Sequence, residues 1–175
     1  MAIREIVTVP APVLRRKARK ITDFGDDLQE LIDDMVETMR DAPGVGLAAP
    51  QLGEPIQLIV VEYAEHDEGD EEPPEKKKPP RLYAIVNPEI TRLSEEKEIG
   101  TEGCLSIPGF AGNVNRPVEI TIRGFNRRGQ PMRVKAKGWL ARIFQHEIDH
   151  LEGVLFTDLA DKVWKLEEGE APPLD

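Results

Sequence analysis

The sequence predicts an α+β fold in which short, largely antiparallel strands pack around a central helix. The order of segments is the first reason: an amphipathic helix, then several short strand-like segments, then a second helix. The second reason is a hairpin pattern, because the segments 116–125 and 131–138 flank a turn in which Gly129 can adopt a positive φ. The chain shows no internal repeat. We expect one domain over residues 1–165 and a frayed, acidic tail over 166–175.

The first predicted helix runs from about Asp26 to Asp41. Its apolar residues recur at the spacing that places them on one helix face, namely Leu28, Leu31, Ile32, Met35, Val36 and Met39. Asp23 or Asp26 is suited to cap its start, and Pro43-Gly44 ends it. This helix is interpreted as one that packs on the core.

The middle of the chain reads as short strands. The predicted segments are Pro55–Tyr63, Leu82–Asn87, Ile90–Leu93 and Lys97–Gly103. Between the first two, Ala64–Pro80 is charged, rich in proline and almost free of apolar residues, which predicts a mobile loop that leaves His66 in solvent. The second helix is expected to start near Gly138 or Trp139 and to end at Gly153.

Composition excludes several classes of protein. The chain has 175 residues, a formal net charge of −10 and no apolar run near the roughly 20 residues that cross a membrane. The acidic balance disfavours general DNA or RNA binding. The basic runs Arg15–Lys20 and Lys76–Lys78 are interpreted as solvated faces, with a patch that meets ribosomal RNA as the alternative. Met1–Pro10 lacks a secretory signal pattern, so we expect a cytoplasmic protein, by default a monomer.

The second helix carries the pattern of a metal site. His146, Glu147 and His150 spell H-E-x-x-H, and two of the three histidines in the chain therefore lie one turn apart on a helix face. Both imidazoles can bind one ion, while Glu147 lies close enough to serve a water molecule there. The central helix of the predicted fold is thus expected to bind a metal.

The spacing leaves the third ligand open. A catalytic metal commonly has three protein ligands and one open position. Downstream of His150, the candidates are Glu152, Asp158 and Asp161, and Glu152 is expected to face away. Cys104, the single cysteine, is the other candidate, because a thiolate is a strong soft ligand. From the residues alone, Cys104 is modestly favoured.

Three stretches together resemble a known family. They are GVGLAAPQ at 44–51, EGCLS at 102–106 and QHEIDH at 145–150. This combination is similar to the peptide deformylases, which remove the formyl group from the N-terminus of nascent bacterial and organellar proteins. The resemblance extends to about Asp161. It implies formylmethionyl peptides as substrates and one divalent ion, Fe²⁺ in general, with Zn²⁺, Ni²⁺ or Co²⁺ able to replace it.

The resemblance also implies a role for each matching position. The implied metal ligands are Cys104, His146 and His150. The implied catalytic groups are the carboxylate of Glu147, the amide of Gln51 and the backbone N–H of Leu105. The implied substrate contacts are Val45, Gly46, Trp139, Arg142 and Ile143. We expect the aliphatic part of the Arg142 side chain to pack against apolar neighbours and its guanidinium to lie at the pocket rim.

Several alternatives remain at this stage. Glu102 and Asp149 are expected either to orient a metal ligand or to form an ion pair, for instance with Arg116. A metallo-endopeptidase with the same helix would not require Cys104. A metal-binding protein without catalytic activity, including one that contacts the ribosome, would have no use for Glu147. Ribosome contact through the short C-terminal segment is doubtful.

Overall fold

The computed structural model describes residues 2–64, 79–168 and 170. Three α-helices are present in this part of the chain: α1 (Asp26–Asp41), α2 (Gly138–Leu151) and α3 (Phe156–Leu159). The strands are β1 (Gly46–Ala48), β2 (Leu58–Tyr63), β3 (Arg81–Leu93), β4 (Lys97–Cys104), β5 (Ile107–Pro117), β6 (Glu119–Phe125), β7 (Pro131–Lys137) and β8 (Lys162–Lys165). Short 3₁₀ turns form at Pro12–Arg15 and Ala49–Leu52. None of the described helices has the length and apolar character to cross a bilayer.

The strands form two antiparallel sheets. One sheet has five strands in the order β1-β2-β3-β6-β7, and the other has three in the order β4-β5-β8. Helix α2 contacts β1, β2, β6 and β7 of the larger sheet and also β5 of the smaller one. The predicted α+β class with largely antiparallel strands is therefore confirmed.

The larger sheet is buried on both faces where β2 crosses it. Ile59 and Val61 pack in the cluster that contains the apolar residues of α2, while Leu58 and Val60 pack in the cluster that contains those of α1. Successive side chains of a strand point to opposite faces, so the continuous apolar run of β2 serves both helices. Helix α2 thereby packs against one face of the sheet.

Most predicted elements are observed, with differences at their ends. Helix α1 has the predicted bounds, and the hairpin of β6 and β7 turns at Gly129 with φ of 80°. The segments Leu82–Asn87 and Ile90–Leu93 join into one strand, β3, with a bulge after Val86. Asn87 makes this possible, because it adopts φ of 52° and its amide bonds both the N–H and the C=O of Ile21. Residues 65–78 of the predicted mobile loop, His66 included, lie outside the described residues.

The segment before the first 3₁₀ turn is tied to α1 by a buried carboxylate. Asp34 Oδ1 accepts the N–H of Ala2 at 2.7 Å, and its Oδ2 accepts the Arg4 guanidinium at 2.8 Å. Burial opposes ionisation of Asp34, but the bonds from Ala2 and Arg4 outweigh it and hold the pKa of Asp34 below its ordinary value.

We expect the substitution Asp34→Asn to remove a pH-dependent part of the stability. Because the folded-state pKa of Asp34 is lowered, its contribution is complete above the unfolded-state pKa of about 3.9 and is lost as pH falls through the folded-state value. Urea unfolding at pH 7 and at about pH 3 measures the free energy of unfolding of wild type and variant. The difference between these two free energies should shrink at the lower pH. Glu30→Gln, on the exposed side of α1, is the control. An equal difference at both pH values would contradict the prediction.

Candidate metal centre

Three side chains from two distant segments meet inside the protein. Cys104 ends β4, whereas His146 and His150 lie one turn apart on α2. All three are buried, and one ligand atom from each lies within 4.8 Å of the others. Cys104 Sγ is 3.4 Å from His150 Nε2. Two of the three acidic alternatives lie in other contacts, since Asp158 pairs with Arg15 and Glu152 lies near Lys17, and Asp161 does not belong to this cluster.

These donor atoms have the chemistry and spacing that a transition metal requires. In a tetrahedral site, an M–S bond of about 2.3 Å and an M–N bond of about 2.0 Å separate sulfur and nitrogen by about 3.5 Å. The observed separation of 3.4 Å between Cys104 Sγ and His150 Nε2 matches this value. A thiolate and two imidazoles also leave one position open for a reactant. The residues therefore fit a catalytic rather than a closed structural ion.

Glu102 orients one of the two imidazoles. Its Oε1 is 2.9 Å from His146 Nδ1, so that nitrogen carries the proton toward Glu102 and Nε2 is left to bind an ion. The same carboxylate accepts bonds from Arg116 at 2.6 and 2.8 Å and from Arg142 at 2.7 Å. Arg116 also bonds Asp149 at 2.8 Å. Glu102 thus orients a histidine and forms ion pairs as well, while Asp149 forms an ion pair with Arg116.

Burial and neighbouring charges set the protonation of Glu102 and of the two histidines. Burial opposes ionisation of Glu102, but Arg116 and His146 outweigh it and lower the pKa of Glu102 to about 2. Burial also lowers the pKa of both histidines. At His146 the contacts with Cys104 and Glu102 reverse this effect and raise its pKa, whereas the charges of His146 and Arg116 lower the pKa of His150 further. His150 is therefore neutral at neutral pH, whereas an ion that binds His146 Nε2 would have to displace the proton that the raised pKa keeps on that ring.

Gln51 places an amide beside the sulfur. Its Oε1 accepts the N–H of Ala48 at 2.9 Å, which turns the NH₂ group toward the cluster. Nε2 lies 3.6 Å from Cys104 Sγ and donates to Ser106 Oγ at 3.1 Å. Both Gln51 and Ser106 are buried. The amide donor is thus held in a defined orientation next to the implied ion.

Comparison with known proteins decides the family. A sequence model of the polypeptide deformylases matches residues 3–165.

The chain belongs to the polypeptide deformylase family.

Relatives and solved structures agree with this assignment. A peptide deformylase of Natranaerobius thermophilus is 45% identical over 168 residues, which are 96% of this chain and 99% of that protein. The crystal structure of the Thermotoga maritima peptide deformylase is 36% identical, with a TM-score of 0.80 over 93% of this chain and 100% of that one. The Ehrlichia chaffeensis peptide deformylase bound to actinonin is 39% identical, with a TM-score of 0.81 over 93% of this chain and 91% of that one.

These findings establish the activity. The protein is a metal-dependent deformylase that removes the N-formyl group from nascent peptides. The alternative of an endopeptidase built on the same H-E-x-x-H helix is not favoured, because the family match extends over nearly the whole chain and not over that helix alone.

The prediction that the charge of Arg142 lies at the pocket rim was wrong. The guanidinium does not lie at a pocket rim, since the side chain is only 6% exposed. It bonds Glu102 and the carbonyls of Val114 and Glu98, at 2.7, 2.9 and 2.6 Å. A Cβ on Gly100 would lie 2.6 Å from its Cζ, so this glycine leaves the space that the buried charge occupies. Removing the guanidinium from water costs free energy, which its bonds to the buried Glu102 carboxylate and to the two carbonyls offset.

The other predicted substrate residues of the deformylase differ in exposure. Val45 and Trp139 are half-buried, whereas Ile143 is completely buried in the cluster under α2. Leu105, predicted to act through its backbone N–H, is also half-buried. A cavity of about 110 Å³ adjoins Trp139, Arg142 and Gly100. Two larger grooves, of about 780 and 690 Å³, are lined by none of the predicted site residues.

Sequence reasoning did not assign a role to Ser106, and it did not predict that Arg116 and Arg142 share the carboxylate of Glu102. Ser106 lies two residues after Cys104 in the second motif, so the motif itself was the available signal. The joint contact of Arg116 and Arg142 with one carboxylate had no local signal, because these residues come from β5 and α2 and meet only in the folded protein.

Gly46 makes room for the carboxylate of Glu147. Glu147 is buried, and a Cβ on Gly46 would lie 2.4 Å from its Oε2 and 2.9 Å from its Cδ. We expect Gly46→Ala to displace Glu147 and to lower kcat/KM about 10- to 100-fold, because misplacement by about 1 Å can have that effect. Steady-state kinetics with a formylated peptide measure it. Gly25→Ala, at an exposed glycine with φ of −76°, is the control. Equal kinetics in the two variants would contradict this role of Gly46.

Proposed function

We propose that one Fe²⁺ ion is held by Cys104, His146 and His150 in the deformylation of formylmethionyl peptides. The observation that carries this proposal is the buried three-ligand cluster with the Gln51 amide beside it. A mixed thiolate and imidazole set suits first-row transition metals better than Mg²⁺ or Ca²⁺. Zn²⁺, Ni²⁺ and Co²⁺ have compatible ligand preferences, and metal analysis distinguishes them.

Glu147 handles the proton in this reaction. When bound, the divalent ion polarises the formyl carbonyl and lowers the pKa of water. Glu147 accepts a proton from the attacking water, whose oxygen bonds the formyl carbon. It then donates that proton to the departing amine as the C–N bond breaks. The products are formate and a peptide with a free N-terminus.

Two donors of the protein stabilise the charge that grows on the formyl oxygen. They are the Gln51 NH₂ group and the backbone N–H of Leu105. The support for Gln51 is its fixed orientation, since Ala48 holds its oxygen and Ser106 accepts one of its hydrogens. Loss of one such donor typically raises the barrier by about 3 kcal/mol.

The peptide is proposed to bind as an added strand between the two sheets. Strands β1 and β4 each lie at the edge of their sheet, so each has an unpaired side. Extended backbone at Gly44–Gly46 and Glu102–Gly103 would supply the main-chain bonds, which tolerate different side chains. Val45, Gly46, Trp139, Arg142 and Ile143 are proposed to surround the methionine. The cavity beside Trp139 and Arg142 supports two of these assignments.

The cellular setting follows from the substrate. We propose a monomer in the cytoplasm that meets peptides as they leave the ribosome, by transient contact. Residues 1–165 would form the catalytic domain, which agrees with the family match over 3–165. The formal charge of −10 argues against DNA as a partner.

Anaerobic purification followed by metal analysis and formate release tests the proposal. We expect about one Fe²⁺ per chain and formate from a formyl-Met peptide. The same peptide without the formyl group should remain intact, as should its internal bonds. Cleavage of internal bonds without formate would indicate an endopeptidase, and a different bound metal with full activity would overturn the choice of iron.

A further inference from the structure

We propose that the segment Val7–Ala18 is a strap that positions the three separate parts of the active site through its backbone N–H groups. This inference rests on the proposed roles of Gln51, Cys104 and His150. The segment lies outside the three motifs and contributes no ligand to the metal cluster.

The strap contacts each part of the site in turn. Val7 N–H donates to the carbonyl of Gln51 at 2.7 Å, and Val9 N–H donates to that of Ser106 at 2.9 Å. Ala18 N–H donates to the carbonyl of Leu151 at 2.8 Å. Gln51 carries the amide, Ser106 follows Cys104 by two residues, and Leu151 directly follows His150. One short segment therefore bonds beside every motif.

The first two contacts set a distance that the reaction depends on. Val7 and Val9 are only two residues apart, so the chain limits the distance between their N–H groups to about 7 Å. Val7 and Val9 therefore hold the carbonyls of Gln51 and Ser106 at a set separation. The side chains of the same two acceptors bond each other at 3.1 Å. The segment after β1 and the segment after β4 are thus connected in two ways, through the strap and directly through their own side chains.

The far end of the strap is anchored by packing. Leu14 is only 1% exposed, and a Cβ on Gly153 would lie 2.6 Å from the Arg15 carbonyl oxygen. The Arg15 guanidinium also pairs with Asp158 of α3, the short helix that follows α2. These contacts fix the strap against the end of the helix that carries His146 and His150. Val7 and Val9 are positioning residues, because they bond the backbone of the site and not the substrate.

Replacement of single amides by esters tests the strap. Incorporation of 2-hydroxy-3-methylbutanoic acid at position 7 or 9 removes one N–H and keeps the valine side chain. The control is the corresponding ester at Ile6, whose N–H donates to none of the described residues. We expect kcat with a formyl-Met peptide to fall about three- to tenfold at positions 7 and 9, with KM within twofold and the control unchanged.

Two further measurements separate positioning from simple stability. The Co²⁺ form of the ester at position 9 should show a shifted thiolate-to-metal absorption band, because its acceptor lies two residues from Cys104. Kinetics are measured well below the unfolding temperature of each variant. If kcat and the Co²⁺ band match the Ile6 ester while only the unfolding temperature falls, the proposal is overturned. If wild type releases no formate, the proposed function fails, and the Co²⁺ band still tests the strap.

Discussion

Glu147→Gln should lower kcat about 1,000-fold or more while the protein keeps its metal. The amide has nearly the shape of the carboxylate but cannot accept a proton from water, and general acid–base groups contribute typically 10²- to 10⁴-fold. Metal content should stay near wild type because Glu147 is not in the ligand cluster of Cys104, His146 and His150. Formate release and metal analysis on the same preparation measure both quantities.

Glu152→Gln is the matched control for this substitution. Glu152 follows the same helix, but its side chain is 58% exposed and lies near Lys17. It should therefore leave kcat within about twofold of wild type. Full activity of Glu147→Gln would reject the assignment of the general base. Loss of metal together with activity would instead place Glu147 among the ligands.

Cys104→Ser should remove most of the metal and nearly all of the activity. A bound thiol is deprotonated outright, whereas a serine hydroxyl is a much weaker ligand at neutral pH. Changes to residues that only orient a ligand cost about 10- to 100-fold in affinity, so loss of a ligand should cost more than that. Competition with a chelator measures the metal affinity, and formate release measures the rate.

Ile107→Val is the control for the loss of packing that Cys104→Ser also causes. Cys104 and Ile107 lie in the same small apolar cluster, so both substitutions disturb its packing, but only the first removes a sulfur ligand. We expect Ile107→Val to lose about 1 kcal/mol of stability and to keep its metal. Unchanged metal affinity in Cys104→Ser would exclude the thiolate from the site and would reopen the acidic alternatives.

The network around Glu102 links these predictions to the fold. One buried carboxylate orients His146 and also accepts bonds from Arg116 of β5 and Arg142 of α2. Breaking a buried ion pair leaves an uncompensated charge, which is costly. The orientation of a ligand therefore depends on the docking of the small sheet against α2, and mutations in that interface should affect both stability and metal binding.

The sequence by itself determined the features that depend on neighbouring residues. Helix α1 has the predicted bounds, the β6–β7 hairpin turns at Gly129, and His146 and His150 share one helix face. Backbone geometry explains this success, because the helical period and the demands of a tight turn are set within a few residues. The three motifs added the family, and through it the expected activity.

Only the tertiary structure decided which distant residues meet. Spacing left Cys104 in competition with acidic residues, and the fold brought its sulfur to the two imidazoles. It also buried Arg142, which was expected at a rim, against Glu102. Such contacts join segments about 40 residues apart, and they form because whole sheets and helices pack cooperatively. No local pattern in the chain records that packing, so the sequence implied the ligand set only through the family resemblance, and the charges around Glu102 required the folded protein.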